Sequence, residues 1–158
     1  MQKIIPCLWF NNNVEEAIEL YSSVFNDVAV TDILRNGPGG PAPEGSILTA
    51  KFTIEGNELL ALNGGPHFTF TEAISLVVYC DTQEEIDDKW AKLTADGGQE
   101  SVCGWLKDKF GLSWQIVPPQ MIKLFQDPDK TKAGRAMQAM MQMKKLDIAA
   151  VERAFNGE

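Results

Sequence analysis

An internal repeat constrains this chain more than any other feature. Asn13-Val14-Glu15-Glu16-Ala17 places an asparagine at a helix N-cap with a glutamate three residues on. Thr82-Gln83-Glu84-Glu85-Ile86 repeats that capping signature 69 residues later. Apolar residues then recur at Val14, Ala17, Ile18, Tyr21, Val24 and Phe25 in the first copy. In the second they recur at Ile86, Trp90 and Leu93, with Gly97-Gly98 as the stop. Both stretches predict amphipathic helices. The same offset lays residues 5–10 on residues 74–79, two short apolar runs that read as strands entering their helices through a polar turn. Three more strand candidates follow the first helix, at 28–34, 46–54 and 58–62, the last two joined by the hairpin signal Glu55-Gly56-Asn57. Shorter counterparts follow the second helix at 99–103, 105–110 and 113–117. Each half therefore reads β-α-β-β-β.

Such a duplication fits one α+β domain over residues 1–118, with modules at 1–66 and 72–118. Residues 119–158 form a helical extension that packs on the domain or on a dimer partner. Asp127-Pro128 supplies an N-cap and N1 proline for a helix through about Met143, and Asp147 caps a last one carrying Ile148, Val151 and Phe155. Met137, Met140, Met141 and Met143 make this extension soft, suited either to packing within the subunit or to a dimer contact.

At 158 residues, 44% apolar and 23% charged, the chain is long enough to hold a core without disulfides or a structural metal. Its 14 Lys and Arg against 22 Asp and Glu give a net charge of −8, which disfavours nucleic acid and anionic membrane surfaces as partners. Pro6 and Asn11-Asn12-Asn13 interrupt the apolar start before a signal-peptide core forms, and no run reaches the length of a membrane span, so a cytoplasmic protein is expected. Cys7, Cys80 and Cys103 are odd in number and widely spaced, as reduced thiols are. The Gly- and Pro-rich loop at 36–45 lacks the Lys-Ser/Thr ending of a phosphate cradle. Glu15/Glu16 and Glu84/Glu85 complement helix dipoles and are not read as catalytic pairs.

Two such halves, with an Asn-x-x-Glu-Ala helix start after the first strand, resemble the vicinal oxygen chelate superfamily of glyoxalases, bleomycin-resistance proteins and dioxygenases. Leu8-Trp9-Phe10-Asn11, Leu62-Asn63-Gly64-Gly65-Pro66, Ala73-Ile74-Ser75-Leu76 and the run from Gly104-Trp105-Leu106-Lys107-Asp108 to Ile116-Val117-Pro118 are similar to its PhnB-like group. The Met-Gln-Met-Lys-Lys-Leu tail fits that group too. The resemblance implies that the modules form cupped mixed sheets. Members often carry the label 3-demethylubiquinone-9 3-methyltransferase, yet no Gly-rich turn suited to S-adenosylmethionine stands between a strand and a helix.

The superfamily's chemistry implies a divalent metal held by His or Glu from the first and last strands of each half. The strand register puts Pro6 and Ser75 at the first-strand positions, and Gln115 and Asn63 at the last-strand ones. An imino acid, a hydroxyl and amides hold a transition metal weakly, so no metal ligand and no cofactor are expected. His67 lies in the turn between the halves, a solvated loop histidine or a lone base at the rim of the cup.

By strand alternation Pro6, Leu8, Phe10, Asn63, Ser75, Val77, Tyr79, Ser113, Gln115 and Val117 should face the cup. Trp9, Leu76, Val78, Trp114 and Ile116 should lie under the helices, with Trp105 and Phe68 or Phe70 walling the mouth. The expected ligand-contacting set is Phe10, Asn63, Ser75, Tyr79, Trp105 and Gln115. The leading expectation is a metal-free PhnB-like homodimer that binds a small, flat organic molecule. The alternatives are a metal-dependent lyase, isomerase or dioxygenase, the methyltransferase of the group label, or a dimeric interaction module organised by the tail.

Overall fold

The computed structural model describes residues 2–158. The protein is α+β, with two four-stranded mixed sheets and five helices among those residues. The chain divides into a unit ending at Phe70 and a unit from Thr71 to Glu158.

In the first unit, β1 (Cys7–Phe10), α1 (Val14–Val24), β2 (Val28–Arg35), β3 (Ile47–Ile54) and β4 (Asn57–Asn63) build a sheet in the order β1-β4-β3-β2. β1 runs parallel to β4 and the other pairs are antiparallel. The β3–β4 turn is closed by Glu55 and Gly56, both at positive φ (46° and 77°), the pair that a tight hairpin needs. α1 lies on β2, β3 and β4. Its Tyr21 ring stacks on Phe52 of β3, with centroids 6.4 Å apart. Val14, Ala17 and Tyr21 are fully enclosed, which realises the apolar stripe read from the sequence.

The face assignment of β1 differs from the expected one. Leu8 and Phe10 are buried in the core, Phe10 edge-on to Phe70 at 5.3 Å, whereas Cys7 is exposed and Trp9 half-buried on the other face. Alternation holds but its sense is reversed. Asn12 sits at φ 58°, and a left-handed residue rotates the chain between strand and helix. The second half enters its helix without one, so the 69-residue repeat aligns the helices while the first strands face opposite ways. The cap of α1 differs too. Asn13 makes no capping bond; Asn63 of β4 accepts from Val14 N at 3.1 Å instead.

The second unit repeats the pattern with β5 (Ser75–Tyr79), α2 (Gln83–Thr94), β6 (Gln99–Glu100), β7 (Trp105–Lys107) and β8 (Ser113–Val117), in the order β5-β8-β7-β6. Here the expected faces hold. Trp114 and Ile116 are buried beneath α2, and Ser75, Val77, Tyr79, Gln115 and Val117 share the opposite, open face. The expected helix cap also forms, Thr82 accepting from Glu85 N while Glu85 accepts from Asp81 N. β6 and β7 are shorter than their apolar runs suggest. Cys103 (φ 58°) and Gly104 (φ 82°) bend the chain before β7, and a Cβ on Gly104 would lie 2.9 Å from the Ile116 carbonyl oxygen.

After β7 the chain turns around a single carboxylate. Asp108, 2% exposed, accepts from the backbone N–H of Phe110 (2.9 Å) and Leu112 (3.1 Å) and from the Trp114 indole N–H (2.9 Å). One side chain therefore shapes the β7–β8 turn and fixes the ring at the start of β8.

Three helices follow: α3 (Pro119–Phe125), α4 (Lys130–Met141) and α5 (Ile148–Asn156). α4 starts two residues later than expected because Asp127 accepts from Asp129 N, leaving Asp129 to cap Thr131 and Lys132. Asp147 caps α5 as expected. Met121, Ala136, Leu146 and Val151 form a core joined by Met140, Met143 and Phe155, so these methionines pack within their own unit. Met141 stays 58% exposed. Gln83 of α2 ties the helices down, donating to Leu146 O and accepting from Ile148 N. Lys145 reaches Asp87 at 2.6 Å and its hydrogen bond holds that carboxyl below the usual range. No helix of the described residues is long and apolar enough to cross a membrane.

Replacing Asp108 by Ala leaves two amides and an indole N–H without an acceptor, each worth about 1 kcal/mol or more when buried. Urea denaturation of Asp108→Ala is expected to show a loss of about 3 kcal/mol; a loss below about 1 kcal/mol contradicts this account of the turn.

Candidate functional site

The open face of the second sheet brings four expected residues onto one surface. Parallel pairing sets Ser75 beside Ser113 and Val77 beside Gln115, and antiparallel pairing sets Trp105 beside Gln115. Gln115 Nε2 donates to Ser75 Oγ at 2.9 Å, a hydroxyl and an amide joined across two strands. Trp105 stands half-buried next to them, and Tyr79 lies on the same face, 62% exposed.

Residues that the sequence reading did not single out complete this surface. Lys107, two residues beyond Trp105 in β7 and so on its face, pairs with Ser113 on one side and Gln99 on the other. Glu72, just before β5, meets Lys107 Nζ at 2.6 Å. That hydrogen bond, with the ammonium charge behind it, lowers the Glu72 pKa from the ordinary carboxylate value. A cavity of about 120 Å³ opens here, lined by Glu72, Gln99, Ser101, Trp105, Lys107 and Ser113 among others. Strand alternation was a sufficient signal for Lys107. Nothing local marks Glu72, whose role depends on a partner 35 residues away.

Two expected contacts lie elsewhere. Phe10 is a core residue of the first unit, as described. Asn63 is spent on structure: its Oδ1 accepts from Val14 N and its Nδ2 donates to Ile47 O at 3.0 Å, so both ends of the amide hold α1 and β3 to β4. The first sheet's open face instead carries Trp9, expected under the helix. Its indole N–H donates to Gly65 O at 2.9 Å, and Phe68 meets it edge-on at 4.8 Å. Gly64 lies so close to the indole that a Cβ there would fall within 2.2 Å of the ring. His67 is exposed beside this cluster in sequence.

The positions at which the resemblance to the vicinal oxygen chelate superfamily implies a metal do not suit one. Pro6 has no donor, Asn63 has both amide ends engaged, and Ser75 and Gln115 are bonded to each other. No group of three or more His, Cys, Asp or Glu able to hold a metal ion occurs among the described residues. A hydroxyl and neutral amides bind transition metals weakly, so no catalytic step is routed through an ion.

Residues 2–117 match the family described as 3-demethylubiquinone-9 3-methyltransferase. The chain belongs to that family. The matched stretch stops at the end of β8, before α3–α5. Among solved structures, a PhnB protein of Bacillus cereus is 37% identical, with 74% of this chain and 99% of that one aligned at a TM-score of 0.67. A Pseudomonas aeruginosa protein of 22% identity shares the fold over 73% of this chain and 96% of its own, at a TM-score of 0.58. Structural neighbours also include a glyoxalase/bleomycin resistance protein of Albidiferax ferrireducens T118, at 14% identity, 74% and 100% coverage and a TM-score of 0.47. No curated protein matches the chain.

Burial raises the pKa of two of the thiols, Cys7 and Cys80. Cys80 is fully buried after β5, and desolvation pushes its pKa up to about 11, so under about 1% is thiolate at pH 8. Cys7 is exposed. A thiol-specific reagent at pH 8 is expected to label Cys7 in the native protein and Cys80 only after denaturation; rapid native labelling of Cys80 contradicts its enclosure.

Proposed function

We propose that this PhnB-like protein binds a small, flat organic molecule on the open face of its second sheet, without a transition metal. The hydrogen-bonded Ser75–Gln115 pair beside the Trp105 ring carries this reading. Polar groups and an aromatic wall converge on a strand face that no helix of its own unit covers, which is how small-molecule sites are commonly lined. Tyr79 and Val77 extend the face with exposed apolar surface that a second copy of the chain would cover, so the working assembly in this reading is a homodimer. Three free thiols suit a reducing cytoplasm, and the net charge of −8 weighs against nucleic acid and anionic membranes as partners.

Methyl transfer, as the family is described, gains no support from the strand-to-helix turns. Asn11-Asn12-Asn13 and Cys80-Asp81-Thr82 contain no glycine with which to approach a nucleotide-like cofactor closely.

Native mass spectrometry of protein purified gently from cells is expected to show a co-purified small molecule, reduced or lost in Trp105→Ala and Gln115→Ala. Calorimetric titration with S-adenosylmethionine is expected to give no heat of binding. An adduct retained by both variants, a micromolar affinity for S-adenosylmethionine, or a stoichiometric Ni, Zn, Fe or Mn signal would overturn the reading.

A further inference from the structure

We propose that the cavity between β6, β7 and β8 receives the carboxylate of a small organic acid, which takes the place that Glu72 occupies on Lys107. This inference rests on the reading of the second sheet's open face as a ligand site, and names the chemistry of that ligand.

The register places Ser75, Ser113, Lys107 and Gln99 side by side across the four strands. Lys107 is the cation of that row, and it already holds a carboxylate, that of Glu72. The two partners are not held alike. Lys107 is anchored in β7 and its side chain is 29% exposed, whereas Glu72 precedes β5, outside any strand, and is 65% exposed. Ion pairs so exposed are weak, so the carboxylate is the exchangeable member. A ligand carboxylate replacing it leaves the local charge unchanged. A ligand cation would have to evict the anchored lysine, and a neutral molecule would leave Glu72 in place.

A second observation points into the same cavity. Ser113 Oγ, on a residue 1% exposed, has no hydrogen-bond partner, although buried hydroxyls ordinarily find one. Ser113 lies opposite Lys107 in the ladder and lines the cavity, so its hydroxyl is placed to donate to an anion held by Lys107. The other nearby carboxylate, Glu100, is engaged by the Trp90 indole N–H at 2.7 Å and by Lys144 at 3.8 Å. At about 120 Å³ the cavity has the room of about four waters, enough for a carboxylate, with the rest of the ligand lying out on the open face beside Trp105.

Benzoate and its neutral counterpart benzamide test this on the full-length chain, read by the Trp105 indole signal in two-dimensional NMR. Glu72→Gln removes the internal competitor and is expected to bind benzoate about three- to fivefold tighter than the native protein, with benzamide affinity unchanged. Lys107→Met should abolish benzoate binding, and Ser113→Ala should weaken it. All three variants are checked for native circular dichroism and melting temperature, and Lys107→Arg, which keeps the charge, should restore binding if Lys107→Met fails to fold. Equal affinity for benzoate and benzamide would overturn the carboxylate inference while leaving the ligand face standing. The same holds if Glu72→Gln does not gain affinity. A Trp105 signal unmoved by either probe in every variant would overturn both.

Discussion

Everything at the candidate site depends on the parallel pairing of β5 with β8. A slip of β8 by one residue against β5 would turn Gln115 toward the helix, away from Ser75, and push the Trp114 indole to the other face. Two forces oppose the slip. Trp114 and Ile116 are buried under α2, so their exposure would forfeit about 2 kcal/mol or more apiece of hydrophobic stabilisation. Asp108, at the β7–β8 turn, holds the Trp114 indole N–H and two turn amides at once. The open face is thus oriented from behind, by a buried carboxylate and the ring it holds.

The tail strengthens that arrangement from the far side of β7. Gly104, left-handed and too crowded for a side chain, lets the chain before β7 receive the α4–α5 connection, with Cys103 N and Gly104 N donating to Met143 O and Lys144 O. Gln83 at the start of α2 grips the same connection. The family match ends before these helices, yet they belong to the same compact unit as the site. They act as a brace for the second sheet.

How much of this could be read from the sequence follows from the range of the interactions. Helices marked by a local cap and an apolar stripe, such as α2 with Thr82 or α5 with Asp147, were legible because both signals lie within one turn. The faces of β5 and β8 were legible because nothing disturbs their alternation. Those of β1 were not, since one left-handed residue, Asn12, reverses the phase between strand and helix and an asparagine gives only weak notice of it. Asn63 read as a free amide because its two partners, Val14 and Ile47, are distant in sequence. Glu72 carried no local mark, and its meeting with Lys107 exists only once strand order is known.

The central claim is that ligand chemistry belongs to the open face of the second sheet. Intermolecular nuclear Overhauser effects between a co-purified or added ligand and the protein test it most directly. Cross-peaks to the Gln115 side-chain amide and the Trp105 indole are the result the account requires. Cross-peaks confined to Trp9, Leu60 and Leu62, on the first sheet, would contradict it.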